Sequence, residues 1–136
     1  MAKIIIFKNE NNGVSVCSPS GEISIEEVMA KDVPSGAGAR IIEFDDLPNG
    51  YRDFFNAWEM DDTSITVNFA KAKEITKNRL RAERKPLFAI QDVLFQRALE
   101  SNSDTTSIVA EKARLRNITN LVETANTLEE LRNITI

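Results

Sequence analysis

The stretch AKAKEITKNRLRAERKPL (70–87) concentrates the side chains of this chain best suited to bind something. Lys71, Lys73, Lys77, Arg79, Arg81, Arg84 and Lys85 stand there against only Glu74 and Glu83. Lysine offers phosphates a point charge and arginine a forked donor, and nucleic-acid affinity is carried largely by such charges. The spacing argues the other way. At about 100° per residue the basic positions spread around much of a helix, and no aromatic residue interleaves to stack on a base. The whole chain is acidic, with a net charge of −4 and a pI near 5.0. The stretch therefore reads as a solvated helix or as one facing an acidic neighbour. Residues 1–70 sum to −7, residues 71–116 to +5 and residues 117–136 to −2, so the first half supplies such a neighbour.

Other reactive chemistry is scarce. Histidine is absent, which removes the usual general base near neutral pH, any Ser-His or Cys-His nucleophile pair, and zinc sites built from Cys and His. Cys17 is the only cysteine, so no internal disulfide forms, as fits a reducing compartment. SGAGAR (35–40) lacks the preceding strand, following helix and third glycine of a dinucleotide loop and reads as a connector. Asp45-Asp46 and Asp61-Asp62 lack the spacing of a calcium loop and read as turns. Tyr51, Phe54, Phe55 and Trp58 could stack on a sugar, but such a cluster more often forms the core of a small sheet. Two Asn-Ile-Thr triplets, at Asn117 and Asn133, carry no weight without a secretion signal. The sequence thus indicates a non-enzyme with no cofactor and no metal. The longest apolar run, Ile4 to Phe7, is far short of the ~20 residues that span a bilayer, so no membrane partner is expected.

The elements that position these residues divide the chain in two. Residues 1–67 read as a small β-rich docking domain. KIIIFKN and VSVCS form a hairpin around Asn12-Gly13, and Ser24 with Glu27 caps a short helix over about 25–30. RIIEF is a strand, and a second hairpin is expected with strands near 54–60 and 63–67. Residues 68–136 read as a helical arm. Asn68 caps a helix over 69–84, and Pro86 must kink it or start a new one. Leu87, Ile90, Leu94 and Ala98, widened by Phe88, Phe95 and Leu99, give the next segment a face expected to be well buried. A polar loop near 101–104 turns the chain back into a helix over about 105–119. Its narrow stripe of Ile108, Leu115, Ile118 and Val122 has the width of a helix–helix seam. Thr127 and Glu130 cap a last short helix over about 128–133. LRNIT recurs at 115–119 and 131–135, too short to predict a structural repeat. The fold class is α+β: a hairpin-rich sheet with one short helix, then a helical hairpin and a short terminal helix.

From residue 70 onward the sequence resembles a group of short tailed-bacteriophage proteins. The resemblance rests on Ala70, Lys71, Arg79, Arg81, Arg84, Pro86 and Leu87, then Asp92, Val93, Phe95, Arg97, Ala98, Leu99 and Glu100, then Lys112, Leu115 and Arg116. GVSVCSP, KDVP, DDLP and FNAWEMDD upstream, and ANTLEELRNI downstream, are similar to further stretches of that group. Gln91 departs from its pattern, and the chain ends in Ile136 without the group's Trp-Pro. The resemblance implies a virion structural protein, associated with the tail, baseplate or tail fibre, made in the host cytoplasm and carried in the virion. Its partners would be other phage structural proteins and further copies of itself, in a homo-oligomer or multi-copy assembly. The opposite charges of the two halves and the narrow stripe of the 105–122 region point to action through protein–protein contacts, with Arg79, Arg81, Arg84, Ile108, Leu115 and Ile118 as interaction residues and Trp58 and Phe95 as core anchors. The alternative is a non-virion tail-fibre assembly chaperone. A regulatory nucleic-acid binder using 70–85 is a third reading.

Overall fold

The computed structural model describes residues 2–61 and 64–136. The fold is α+β. It resolves into two compact units, 1–71 and 72–136.

In the first unit, β1 (Lys3–Lys8) is the central strand of a three-stranded antiparallel sheet, flanked by β2 (Val14–Cys17) and β3 (Arg40–Glu43). The β1–β2 connection uses the expected asparagine chemistry. Asn12 adopts a positive φ of 64°, a region asparagine tolerates, while Asn9 Oδ1 accepts from the backbone N–H groups of Asn11 and Gly13. α1 (Ile25–Asp32) begins at the predicted capping box, with Ser24 Oγ accepting from the Glu27 N–H at 3.2 Å. It packs against β1. Ile5 is buried as completely as Ile4 and Ile6, so both faces of the central strand are covered.

A second sheet pairs β4 (Trp58–Met60) with β5 (Ile65–Val67). The strand expected over 54–60 is shorter: residues 49–57 wind as 3-10 turns and only the last three are extended. The turn lets Trp58 Nε1 donate to the Tyr51 carbonyl at 3.2 Å and sets the Phe55 ring edge-on to Trp58 with centroids 4.9 Å apart. Trp58 is fully buried beside Ile4, Ile6, Val14, Leu47 and Met60, so it anchors the core and presents no face to a sugar. Of the expected strand 63–67, Thr63 lies outside the described residues, as does Asp62 of the Asp61-Asp62 pair. Asp45 and Asp46 sit in a single 3-10 turn.

The helical unit is built on α2 (Phe69–Glu100), whose first residues belong to the β unit. Asn68 caps it as expected, its Oδ1 accepting from the Lys71 N–H, and its Nδ2 donates to Glu59 on β4. That bond, ahead of the Lys71 ion pair at 3.4 Å, holds the Glu59 carboxyl below its ordinary range. Pro86 neither ends α2 nor starts a new helix; the helix runs through it to Glu100. A proline inside a helix removes one backbone hydrogen bond and crowds the preceding turn, and α2 accepts that penalty.

After the loop at 101–105, α3 (Thr106–Asn117) returns, with Asp104 accepting from the Thr106 N–H and hydroxyl. The helix expected over about 105–119 is α3, ending two residues early, and α4 (Asn120–Thr124) follows as an additional turn that the sequence-based expectation does not include. α5 (Leu128–Asn133) then starts on Thr127, which accepts from Glu130 N–H at 3.1 Å. Contacts fix α2 and α3 as antiparallel. Asp92 pairs with Lys112 at 2.6 Å, and Arg84 reaches the Leu115 and Arg116 carbonyls, so positions descending α2 meet positions ascending α3.

Candidate interaction surface

Five of the seven basic side chains of the 70–87 stretch, Lys73, Lys77, Arg79, Arg81 and Arg84, are engaged within the helical unit, while Lys71 pairs with Glu59 in the first unit. Arg84 donates to the carbonyl oxygens of Leu115 and Arg116, both at 3.1 Å, and its guanidinium lies 5.8 Å from the Phe88 ring centroid. Arg79 donates to the carbonyls of Leu131 and Ile134, at 3.3 and 2.7 Å, and pairs with Glu83 at 3.4 Å. These carbonyls lie at the C-terminal ends of α3 and α5, where the last turn lacks intrahelical donors and the helix dipole favours a cation. Two arginines of one helix thereby staple the ends of two others. The LRNIT repeat acquires a local meaning here. Both of its leucines, Leu115 and Leu131, are fully buried, and the carbonyl of each accepts from an α2 arginine.

The lysines act in parallel. Lys73 and Lys77 both pair with Glu123 of α4. The Lys77 hydrogen bond, with its charge and that of Lys73, holds the Glu123 carboxyl below its ordinary range, and Glu123 in turn raises Lys77. The acidic neighbours of the basic stretch are thus Glu59 of the first half at Lys71, Glu123 of the terminal segment, and the C-terminal ends of α3 and α5, where the sequence points to the first half alone. Arg81 is the more exposed arginine of the three, held to Asn78 at 2.9 Å and near Glu74.

The predicted seam residues follow the same logic. Leu115 is fully buried and Ile118 nearly so, while Ile108 is half-buried. The seam of α3 is therefore closed inside its own chain, against α2, and its lower part has no surface to offer a second molecule. On α2 the inner face is carried by Arg84, Phe88, Gln91, Phe95 and Ala98, a heptad pattern whose members are half-buried or buried. Lys112 Nζ sits 5.4 Å from the Phe95 ring centroid. Phe95 is half-buried, less of an anchor than Trp58.

Of the residues expected to be buried on this segment, Ala98 is buried and Leu87, Phe88 and Phe95 are half-buried, but Ile90, Leu94 and Leu99 are left open, as is Val93. Ile90, Val93, Leu94 and Leu99 are 54%, 47%, 41% and 57% exposed. Ala89, Ile90, Val93, Leu94 and Arg97 line a shallow apolar groove along the outer side of α2. Sequence reading counted the apolar positions of 86–100 as one wide face. They are two faces, and only the one at 84, 88, 91, 95 and 98 meets α3. A signal existed: at about 100° per residue Phe88, Phe95 and Ala98 fall on one side of the helix and Ile90, Val93 and Leu94 on the other, too wide a spread for one partner helix to cover.

Among the described residues no three His, Cys, Asp or Glu side chains converge as metal ligands would, and no helix is long and apolar enough to cross a membrane. No protein-family model, curated protein or solved structure matches this chain.

Proposed function

We propose that this chain is a non-enzymatic structural component of a tailed-phage particle, associated with the tail, baseplate or fibre, and that it works by protein–protein contact. The observation that carries this reading is the open apolar groove on α2. Solvent-facing Ile90, Val93 and Leu94 along one side of the helix are what a contact surface requires and what an isolated soluble helix avoids. The resemblance of residues 70–117 to short phage proteins supports it from the sequence side. The internal use of Arg79, Arg84, Lys73 and Lys77 favours scaffold over nucleic-acid contact for the basic stretch.

Quantitative mass spectrometry of purified particles from the phage that encodes the chain tests the proposal. A fixed copy number per particle is the expected result. Absence from particles combined with a stable complex with fibre protein in the lysate would assign the chain to fibre assembly as a chaperone. Absence from both would overturn the reading.

A further inference from the structure

The open groove on α2 has a pattern that specifies its occupant. Glu83, Ile90 and Arg97 recur every seven residues, with Pro86 and Val93 between them, which is the spacing of a two-helix seam. The flanking positions Ala82, Leu87, Ala89, Leu94 and Gln96 carry no charge, so nothing along the middle of this seam repels a like surface. Its two ends are oppositely charged, Glu83 at one and Arg97 at the other, about 21 Å apart at the helical rise. Among the described residues Arg97 has no ion-pair partner in its own chain. A parallel copy would set Glu83 on Glu83 and Arg97 on Arg97. An antiparallel copy centred on Ile90 sets each Glu83 against the opposite Arg97, Pro86 against Leu94, and Ile90 against itself.

We propose that a second copy of this chain occupies the groove, docked antiparallel along α2 about a two-fold axis at Ile90. The contact is isologous and closes on itself, so it makes a dimer and not a fibre. Its span is short, at the low end of specific interfaces, so the dimer is reversible and forms at protein concentrations on the order of 100 µM. Crowding of copies on an assembly would drive the same contact. The inference rests on reading α2 as a protein-contact surface but not on the chain being part of a particle.

Sedimentation equilibrium of the full chain, from about 5 to 300 µM, tests it. A monomer–dimer equilibrium is expected, weakened at least about tenfold by Ile90→Asp, with the melting temperature of the variant unchanged because Ile90 is half-exposed. Glu83→Arg and Arg97→Glu should each weaken dimerisation about tenfold, and the double variant should restore it to within about threefold of the original chain. Glu83 also pairs with Arg79 in its own chain, so orientation is read a second way. In a Cys17→Ser background, Pro86→Cys combined with Leu94→Cys should cross-link into a dimer, while either cysteine alone should not. A monomer throughout the range would overturn the proposal, as would a dimer indifferent to Ile90→Asp. Single cysteines that cross-link to themselves, or a charge swap and a cysteine pair that both fail, would overturn the antiparallel arrangement. None of these outcomes depends on whether the chain is found in particles, which the mass spectrometry decides separately.

Discussion

The two halves of α2 are built from similarly strong helix formers, yet they are treated in opposite ways. Up to Lys85 the helix buries Ala72, Thr76 and Leu80 and turns its cations onto Glu123 and onto the carbonyl ends of α3 and α5. Beyond Pro86 it buries only Ala98 and exposes Ile90, Val93, Leu94 and Leu99. Helix propensity does not distinguish these halves; the supply of neighbours does. Among the described residues, side chains of the first half reach α3, α4 and α5, and those of the second reach α3. What teaches most is the inversion. The charged half is the satisfied one, and the apolar half is the one left to find a partner.

The largest expected effect breaks the comparison at the buried end. Leu80→Ala, in the first half of α2, removes a fully buried side chain and should destabilise by about 2–5 kcal/mol in chemical denaturation. Leu94→Ala, on the same helical unit but facing solvent, should stay within about 0.5 kcal/mol. Equal losses would erase the distinction between the halves.

Pro86 marks their junction and gives the next effect, with opposite sign. Restoring the missing N–H by Pro86→Ala should stabilise the chain by up to about 3 kcal/mol, the usual penalty of proline within a helix. A destabilised variant would show that the proline's ring, and not its missing donor, matters at that position.

Arg84 sharpens the account of the satisfied half. Arg84→Ala should lose about 1–2 kcal/mol, because two α3 carbonyls lose a charged donor. Both bonds leave one guanidinium nitrogen, and the planar group also lies against the Phe88 ring, so Arg84→Lys should recover only part of that, the ammonium lacking the guanidinium's planar stacking face. A lysine variant as stable as the original would mean that charge alone serves.

The smallest effect is electrostatic. Glu123 is held below its ordinary value of 4.5 by Lys77 and Lys73, so it remains ionised when folded at pH values where the unfolded chain has begun to protonate it. Its contribution is present in full above that ordinary value and fades as pH falls through the lower folded value. Lys77, raised above 10.5, contributes fully below that value and fades as pH rises past it. Glu123→Gln should therefore flatten the acid limb of the stability profile. An unchanged acid limb would place the acid sensitivity elsewhere.

Much of this organisation was legible as local chemistry. Ser24 with Glu27 and Thr127 with Glu130 announced α1 and α5, Asn68 announced α2, and Asn12 announced the β1–β2 turn, because each satisfies a backbone group within a few residues. What depended on distant partners was not legible. Nothing near Arg79 or Arg84 reveals that their acceptors lie some thirty to fifty-five residues away, on Leu115, Arg116, Leu131 and Ile134. The choice between two apolar faces on 84–98 is likewise made by where α3 returns, and the aromatic run at 54–57 folded as turn because Trp58 needed the Tyr51 carbonyl. Periodicity marked 86–100 as an apolar helical segment but merged its two faces into one, and only tertiary packing separates the closed face from the open one.

That division between a closed and an open face of one helix is the central claim, and photo-crosslinking reads it directly. A photoreactive side chain is placed in the full chain at position 88, on the face toward α3, and separately at position 90, on the outer face. The account predicts that position 90 captures a second polypeptide while position 88 cross-links within its own chain. Capture of a second polypeptide from 88 and not from 90, or from both equally, would contradict it.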